Sequence, residues 1–282
     1  MTKFTSFLLI AICAFLCNSA QATSTGKELL QGEARELAWY DCPANSEAKR
    51  RRPRRFAHCR CMQGFERDEE REACFRTVYL TVNNLSYMQP FSPFLVVVHN
   101  HYAPKLFVPG MPGPEGLGAI AEAGNTTMLE HVYSMDDNVL ESFVGTNVPA
   151  NANGTIEIRM NSDYPLVTIA AMCVNSNDCF VALNGAPIYN GAMYYEPAWD
   201  AGTEMNNELC THVPGPACAA GTGNARTEMG EGFVHVHRGF QGINVGRTDL
   251  TEDELGANGE PLGSMYDWRN PIMLVSMSDA MM

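Results

Sequence analysis

Lysine is nearly missing from this 282-residue chain: there are four in all, and beyond residue 76 only Lys105. With a formal charge of −13, a general nucleic-acid binder is excluded, because such proteins need positive charge to displace counterions from phosphates. Charged residues make up only 18% against 45% apolar, a balance that excludes a disordered or fibrous chain. Sustained helical periodicity is scarce, and 16 prolines and 24 glycines cut the chain into short pieces, which excludes a helical bundle. No apolar run after residue 22 reaches the roughly 20 residues of a membrane span. There is no Cys-x-x-Cys pair, so a thiolate zinc site is not expected. A Gly-x-Ser-x-Gly elbow and a phosphate-cradling glycine loop are also missing. A carboxylate pair of the glycosidase kind leaves no short motif. The expectation is a chain that is not an enzyme.

What is present begins with an export signal. Residues 1–22 combine Lys3, the apolar run Phe7-Leu-Leu-Ile-Ala-Ile-Cys-Ala-Phe-Leu16 and a small-residue cleavage site, Ala20-Gln21-Ala22. This pattern predicts a secreted, extracellular protein that starts at Thr23. Cys13 and Cys17 leave with the signal, and eight cysteines remain: Cys42, Cys59, Cys61, Cys74, Cys173, Cys179, Cys210 and Cys218. An even count in an oxidising compartment reads as disulfides, although eight cysteines allow 105 pairings. Cys173–Cys179 and Cys210–Cys218 are expected, each closing a short loop. Three glycosylation sequons follow export, at Asn84, Asn125 and Asn153.

Charge divides the mature chain near residue 76. Residues 23–76 carry 12 basic and 10 acidic side chains, and residues 77–282 carry 6 and 22, a net of −16. We therefore read residues 1–22 as signal, 23–76 as a small cysteine-containing basic head, and 77–282 as the body. The head opens with a short helical pattern over 27–38. Its run Lys49-Arg-Arg-Arg-Pro-Arg-Arg55 offers Arg50, Arg51, Arg52, Arg54 and Arg55 to a matrix polyanion. A solvated loop, or a processing-protease target, is the plainer use of the same residues. An acidic body suits a protein that meets divalent cations, and solubility alone would also explain it.

The body reads as β-rich. Thr77–Asn83 alternates with Val78, Leu80 and Val82 on one face. Further strands are expected at 94–99, 155–160, 166–174, 179–183, 232–237 and 272–276, the one at 166–174 apolar throughout as a doubly covered strand would be. One short helix is expected from Thr127, with Glu130 completing a capping box, to about Met135. The fold class is all-β: an antiparallel sandwich with one short helix, behind a disulfide-stapled N-terminal module.

Two kinds of metal site compete. Oxygen-rich loops at 175–178 and 200–207 predict calcium on Asp178, Asp200 and Glu204, assisted by Asn177, with Gly202 letting a carbonyl turn inward. Pairing of Asp200 and Glu204 with Arg238 or Arg269 is the plainer alternative. His99-x-His101 and His235-x-His237 each place two imidazoles on one strand face and would together hold zinc or copper. No acid is recognised close to either pair in sequence. Asp249–Glu260 superficially fits a twelve-residue calcium loop but has Glu254 where the turn needs glycine.

Several blocks also resemble a known family. Thr81-Val-Asn-Asn-Leu-Ser-Tyr-Met-Gln-Pro-Phe-Ser-Pro93, Leu106-Phe-Val-Pro-Gly110, Ile120-Ala-Glu-Ala-Gly124 and Ala171–Phe180 are similar to the spondin N-terminal domain, the F-spondin/mindin module. Trp199-Asp-Ala-Gly-Thr-Glu204, Val234-His-Val-His-Arg-Gly-Phe240 and Asp267-Trp-Arg-Asn-Pro271 continue it in order, over residues 77–277. Cys179 stands where the family commonly has tryptophan. The resemblance implies a secreted β-sandwich that acts in matrix or cell-surface contact, with an extracellular receptor or matrix glycan as partner and calcium in end loops. In the head, Cys59-Arg-Cys61-Met-Gln-Gly-Phe65-x8-Cys74 resembles half of an epidermal-growth-factor-like module. That resemblance implies Cys42–Cys59 and Cys61–Cys74.

Overall fold

A computed structural model describes residues 45–49, 58–69, 71–219, 227 and 229–279. The signal, the 27–38 pattern, Cys42 and the arginines at 50, 51, 52, 54 and 55 lie outside these residues. The chain forms two compact units, residues 1–42 with 48–59 and residues 43–47 with 60–282. The second holds both large sheets.

The described strands are β1 (Ser46–Lys49), β2 (His58–Cys61), β3 (Glu66–Asp68), β4 (Ala73–Asn84), β5 (Leu95–His99) and β6 (Val139–Val144). They continue with β7 (Asn153–Met160), β8 (Leu166–Met172), β9 (Cys179–Pro187) and β10 (Met193–Glu196). Last come β11 (Ala198–Asp200), β12 (His235–Val236) and β13 (Met273–Ser278). The period-two stretch at 77–83 lies within β4, where Val78, Leu80 and Val82 are buried as the alternation requires. β4 pairs antiparallel with β7, β13 and β3, and β13 pairs with β10. The charge change at residue 76 falls inside this strand.

The other sheet has six antiparallel strands in the order β12-β11-β9-β8-β5-β6. Its central strands β5 and β8 are buried at every position, which accounts for their largely apolar sequence, the two polar side chains His99 and Thr168 bonding each other. One face gives Val96, Val98, Val167, Ile169 and Val181 to a core shared with Leu80, Ile158 and Val275 of the first sheet. The opposite face presents Leu95, Val97, Ala170 and Phe180 to two helices, α1 (Leu117–Ala123) and α2 (Thr127–Ser134). The fold is an antiparallel sandwich with a helical layer on one outer face.

That layer corrects the expectation of one helix. The seven residues of α1 sit between Gly116 and Gly124, and flanking glycines and prolines read as loop. Leu117, Ile120 and Ala121 nevertheless fall at helical spacing and bury against the sheet. α2 starts at Thr127 as expected, but without the capping box: Thr126 is the cap residue, and no side chain caps the helix. Asn125 Oδ1 accepts the Thr127 N–H instead, at 3.1 Å.

Disulfides join Cys61 to Cys74 and Cys210 to Cys218, and Cys59 is also disulfide-bonded. The expected Cys173–Cys179 bridge is absent; both carry free, buried thiols. They face each other where β8 meets β9, the Cys173 N–H donating to the Cys179 carbonyl at 2.9 Å. Each side chain is fully enclosed in the core between the sheets, where a thiol serves as a small apolar group. Burial pushes the Cys179 thiol well above its ordinary range, the neighbouring Cys173 adding to the effect. Alkylation is therefore expected to leave both cysteines unmodified in native protein and to label both after denaturation without reductant. Mass spectrometry of the tryptic peptides reads the result, and an unlabelled 173/179 pair in denatured protein would count against free thiols.

The sequon at Asn84 is also corrected. Asn84 is buried, its Nδ2 donating to the Gln89 carbonyl at 2.7 Å and its Oδ1 accepting from the Ser86 hydroxyl at 2.6 Å. An amide held this way has no room for a glycan. Asn125 and Asn153 are exposed.

Candidate metal centre at the loop end

Sheet register gathers the candidate residues. Asp200, the last residue of β11, lies opposite Cys179 on one side and His235 on the other. Asp178 immediately precedes β9, so Asp178, Asp200 and His235 share one end of the six-stranded sheet. The 175–178 loop is pinned from below: buried Gln89 donates to the Asn175 carbonyl and accepts the Asn175 N–H.

The 200–204 and 230–235 loops meet backbone to backbone. Gly202 has φ +69, and a Cβ there would lie 2.4 Å from the Phe233 carbonyl oxygen. Its own carbonyl accepts the Gly232 N–H at 2.8 Å, so it is spent within the protein rather than free for an ion. Only glycine permits this approach.

Asp178 is fully buried. Its Oδ2 accepts three bonds, from the Thr203 N–H (2.6 Å), the Thr203 hydroxyl (3.1 Å) and the Glu204 N–H (2.9 Å), while Oδ1 has no partner. Burial, and then the neighbouring Asp200, push this carboxyl up to about 8 despite those bonds. Asp200 is also fully buried, with Oδ1 accepting from the Gly202 N–H at 2.8 Å and Oδ2 from the Asn206 side chain at 2.6 Å.

Three acceptor atoms face one another beside it. His235 Nε2 lies 3.6 Å from Asp200 Oδ1 and 3.8 Å from Glu231 Oε2, and one ligand atom from each of the three residues lies within 4.8 Å of the other two. His235 Nδ1 contacts the Val236 carbonyl at 3.1 Å. In the neutral ring that contact puts the proton on Nδ1 and leaves a lone pair on Nε2, the usual orientation of a metal-ligating histidine. Nε2 has no hydrogen-bond partner. Facing lone pairs of this kind need a proton or a cation between them.

The remaining expected residues take other roles. Glu204 is buried and gives its backbone N–H to Asp178. Asn177 turns away, its Nδ2 donating to the His212 carbonyl. Neither arginine of the plainer reading pairs with Asp200: Arg269 pairs with Asp267, and Arg238 forms no ion pair among the described residues. The four histidines do not converge. β5 and β12 are four strand spacings apart in the sheet, about 19 Å at 4.8 Å each. His99 is engaged with the Thr168 hydroxyl at 2.9 Å and the Asn100 carbonyl at 2.8 Å, and His101 is exposed.

Glu231 was not among the expected ligands, although it stands only four residues before His235. It belongs to an exposed Gly-Glu-Gly segment, which reads as loop, and the signal available was its spacing from the histidine pair. Next to the centre is a cavity of about 210 Å³ lined by Asn177, Asn206, Glu231, His237, Arg238 and Gln241, among others. Comparison with protein-family models and with curated proteins gives no match.

Proposed function

We propose that this chain is a secreted extracellular-matrix or cell-surface binding module of the spondin N-terminal type. Its loop end holds a divalent cation on Asp200, Glu231 and His235. The observation that carries the reading is the facing of Asp200 Oδ1 and Glu231 Oε2 onto His235 Nε2, which has no hydrogen-bond partner. The block most similar to the spondin module, 199–204, contains Asp200, and the later block 234–240 contains His235. The signal pattern and the disulfides support an extracellular setting, and an extracellular receptor or matrix glycan is the expected class of partner.

The donor set is mixed. Calcium takes six to eight oxygens, whereas two carboxylates with one imidazole suit zinc or a similar ion. We favour the zinc class over calcium on this chemistry. Protein dialysed against trace zinc and then buffer is expected to retain one equivalent by elemental analysis. Chelation is expected to lower the unfolding midpoint by roughly 5–10 °C, since an ion at a hundred times its dissociation constant adds about 2.7 kcal/mol. Glu231→Gln combined with His235→Ala should remove both effects. Wild type that binds no metal and ignores chelator would overturn the cation centre.

A further inference from the structure

We infer that the cavity beside the cation receives an Asp or Glu side chain of a protein partner, whose carboxylate completes the ion's coordination. The inference rests on the cation centre proposed above. Three protein donors leave at least one position open on a four-coordinate ion. Glu231 belongs both to that centre and to the cavity wall, so the cavity reaches the ion's surroundings.

Two donors without an acid partner among the described residues line the wall, His237 and Arg238. His237 is 4% exposed, and its Nδ1 accepts the Gly239 N–H at 3.0 Å. The proton of the neutral ring therefore sits on Nε2, and this buried N–H has no partner; the nearest acidic oxygen, Asp200 Oδ2, is 4.0 Å away. Arg238, which also lines the cavity, is exposed and free of ion pairs among the described residues. The one other acid on the wall, Glu208, is consumed: its oxygens accept the backbone N–H groups of Gln241 and Ile243. An open cation position, an orphan N–H and a guanidinium together match the two oxygens of a carboxylate.

The rim selects the source. Met205 and Ile243 line the cavity and are 42% and 55% exposed. An apolar border around a charged centre is the arrangement of a protein–protein anchor site. A sulfated glycan would need a field of cations, and the body has only six basic residues.

The test uses full-length secreted protein and an array of heptapeptides with mixed apolar and polar flanks and a fixed central Asp, Glu, Asn, Gln or Lys. Zinc-loaded protein is expected to bind the carboxylate-centred peptides at least tenfold better than their amide counterparts. Chelator should erase that preference, and Arg238→Ala, at an exposed position, should reduce it several-fold while metal content stays at one equivalent. Free acetate and sulfated disaccharide at the same concentration should not compete. Metal-loaded protein that treats Asp and Asn peptides alike, or that is blocked by the disaccharide, would overturn the inference and leave the cation centre standing. Protein that fails to take up metal would instead remove the centre itself.

Discussion

Gly202→Ala is expected to lower the unfolding midpoint by roughly 5–15 °C and to abolish the response to zinc. Two costs combine. A Cβ on a backbone of φ +69 costs about 1–2 kcal/mol, and forcing an atom into a packed contact costs about 1–3 kcal/mol more. For a chain of this size each kcal/mol moves the midpoint by about 2–4 °C. The contact is with backbone: the new Cβ would lie 2.4 Å from the Phe233 carbonyl oxygen and 2.7 Å from its nitrogen. Relief requires the 230–235 segment to retreat, and that segment carries Glu231 and His235. Gly232→Ala separates the two costs. Its φ is +80, but no heavy atom lies within 4 Å of the added Cβ, so only the backbone penalty applies and zinc binding should persist. Equal losses in the two variants, read by calorimetry, would refute the close approach as the cause.

In chelated protein, stability is expected to fall as pH rises from about 6.5 to 8, and Asp178→Asn is expected to flatten that fall. Asp178 titrates at about 8 in the fold, against an ordinary 3.8, chiefly because it is buried and secondarily because Asp200 is near. Between those values the folded state holds a proton that the unfolded state has lost, so stability declines with rising pH. His237 works in the opposite sense. Burial first, then His235 and Arg238, hold its ring at about 3. Between 3 and 6.5 the unfolded state therefore binds the extra proton, and stability rises with pH. The two slopes oppose each other below about 6.5, and above it only the decline remains. Asparagine reproduces the protonated acid: its carbonyl oxygen can accept the bonds from Thr203 and Glu204, and its amide replaces the protonated Oδ1. Asp178→Ala instead leaves two backbone N–H groups and a hydroxyl without their acceptor, at about 1–3 kcal/mol each. It should be the most damaging change at this position. Denaturant midpoints from pH 5 to 8.5 decide the matter; an Asn variant as unstable as the Ala variant would show that the folded state needs the ionised carboxylate.

The candidate cation centre and the proposed partner site both depend on one arrangement, the packing of the 200–204 turn against the 230–235 segment. That contact explains why the three candidate ligands come from two separate stretches of chain. Asp200 ends one strand, His235 begins the next in the sheet, and Glu231 sits in the turn between Gly230 and Gly232. A short strand of two residues suffices for β12 because glycine–backbone contacts and the Val234 N–H bond to the Met111 carbonyl at 2.9 Å hold its approach.

Strand existence was legible in the sequence wherever one face meets the core, because burial on alternate residues leaves a period of two in β4 and β7. The unbroken run in β8 signalled cover on both faces for the same reason. Asp178 and Asp200 were legible as neighbours because both stand in oxygen-rich turns at strand ends, but only Asp200 joins the candidate ligands, Asp178 being held by the Thr203 and Glu204 N–H groups. What covers the outer face of the six-stranded sheet was not legible, since α1 has only seven residues and owes its helical state to Leu117 and Ile120 burying against β8 and β9 rather than to propensity. Sequence spacing also suggested a bridge between Cys173 and Cys179, where enclosure in the core keeps thiols. Which residues come together as candidate ligands was decided only by register. A sheet order that places β12 beside β11 and four strands from β5 joins His235 to Asp200 and separates it from His99, and long-range strand pairing leaves no mark on local composition.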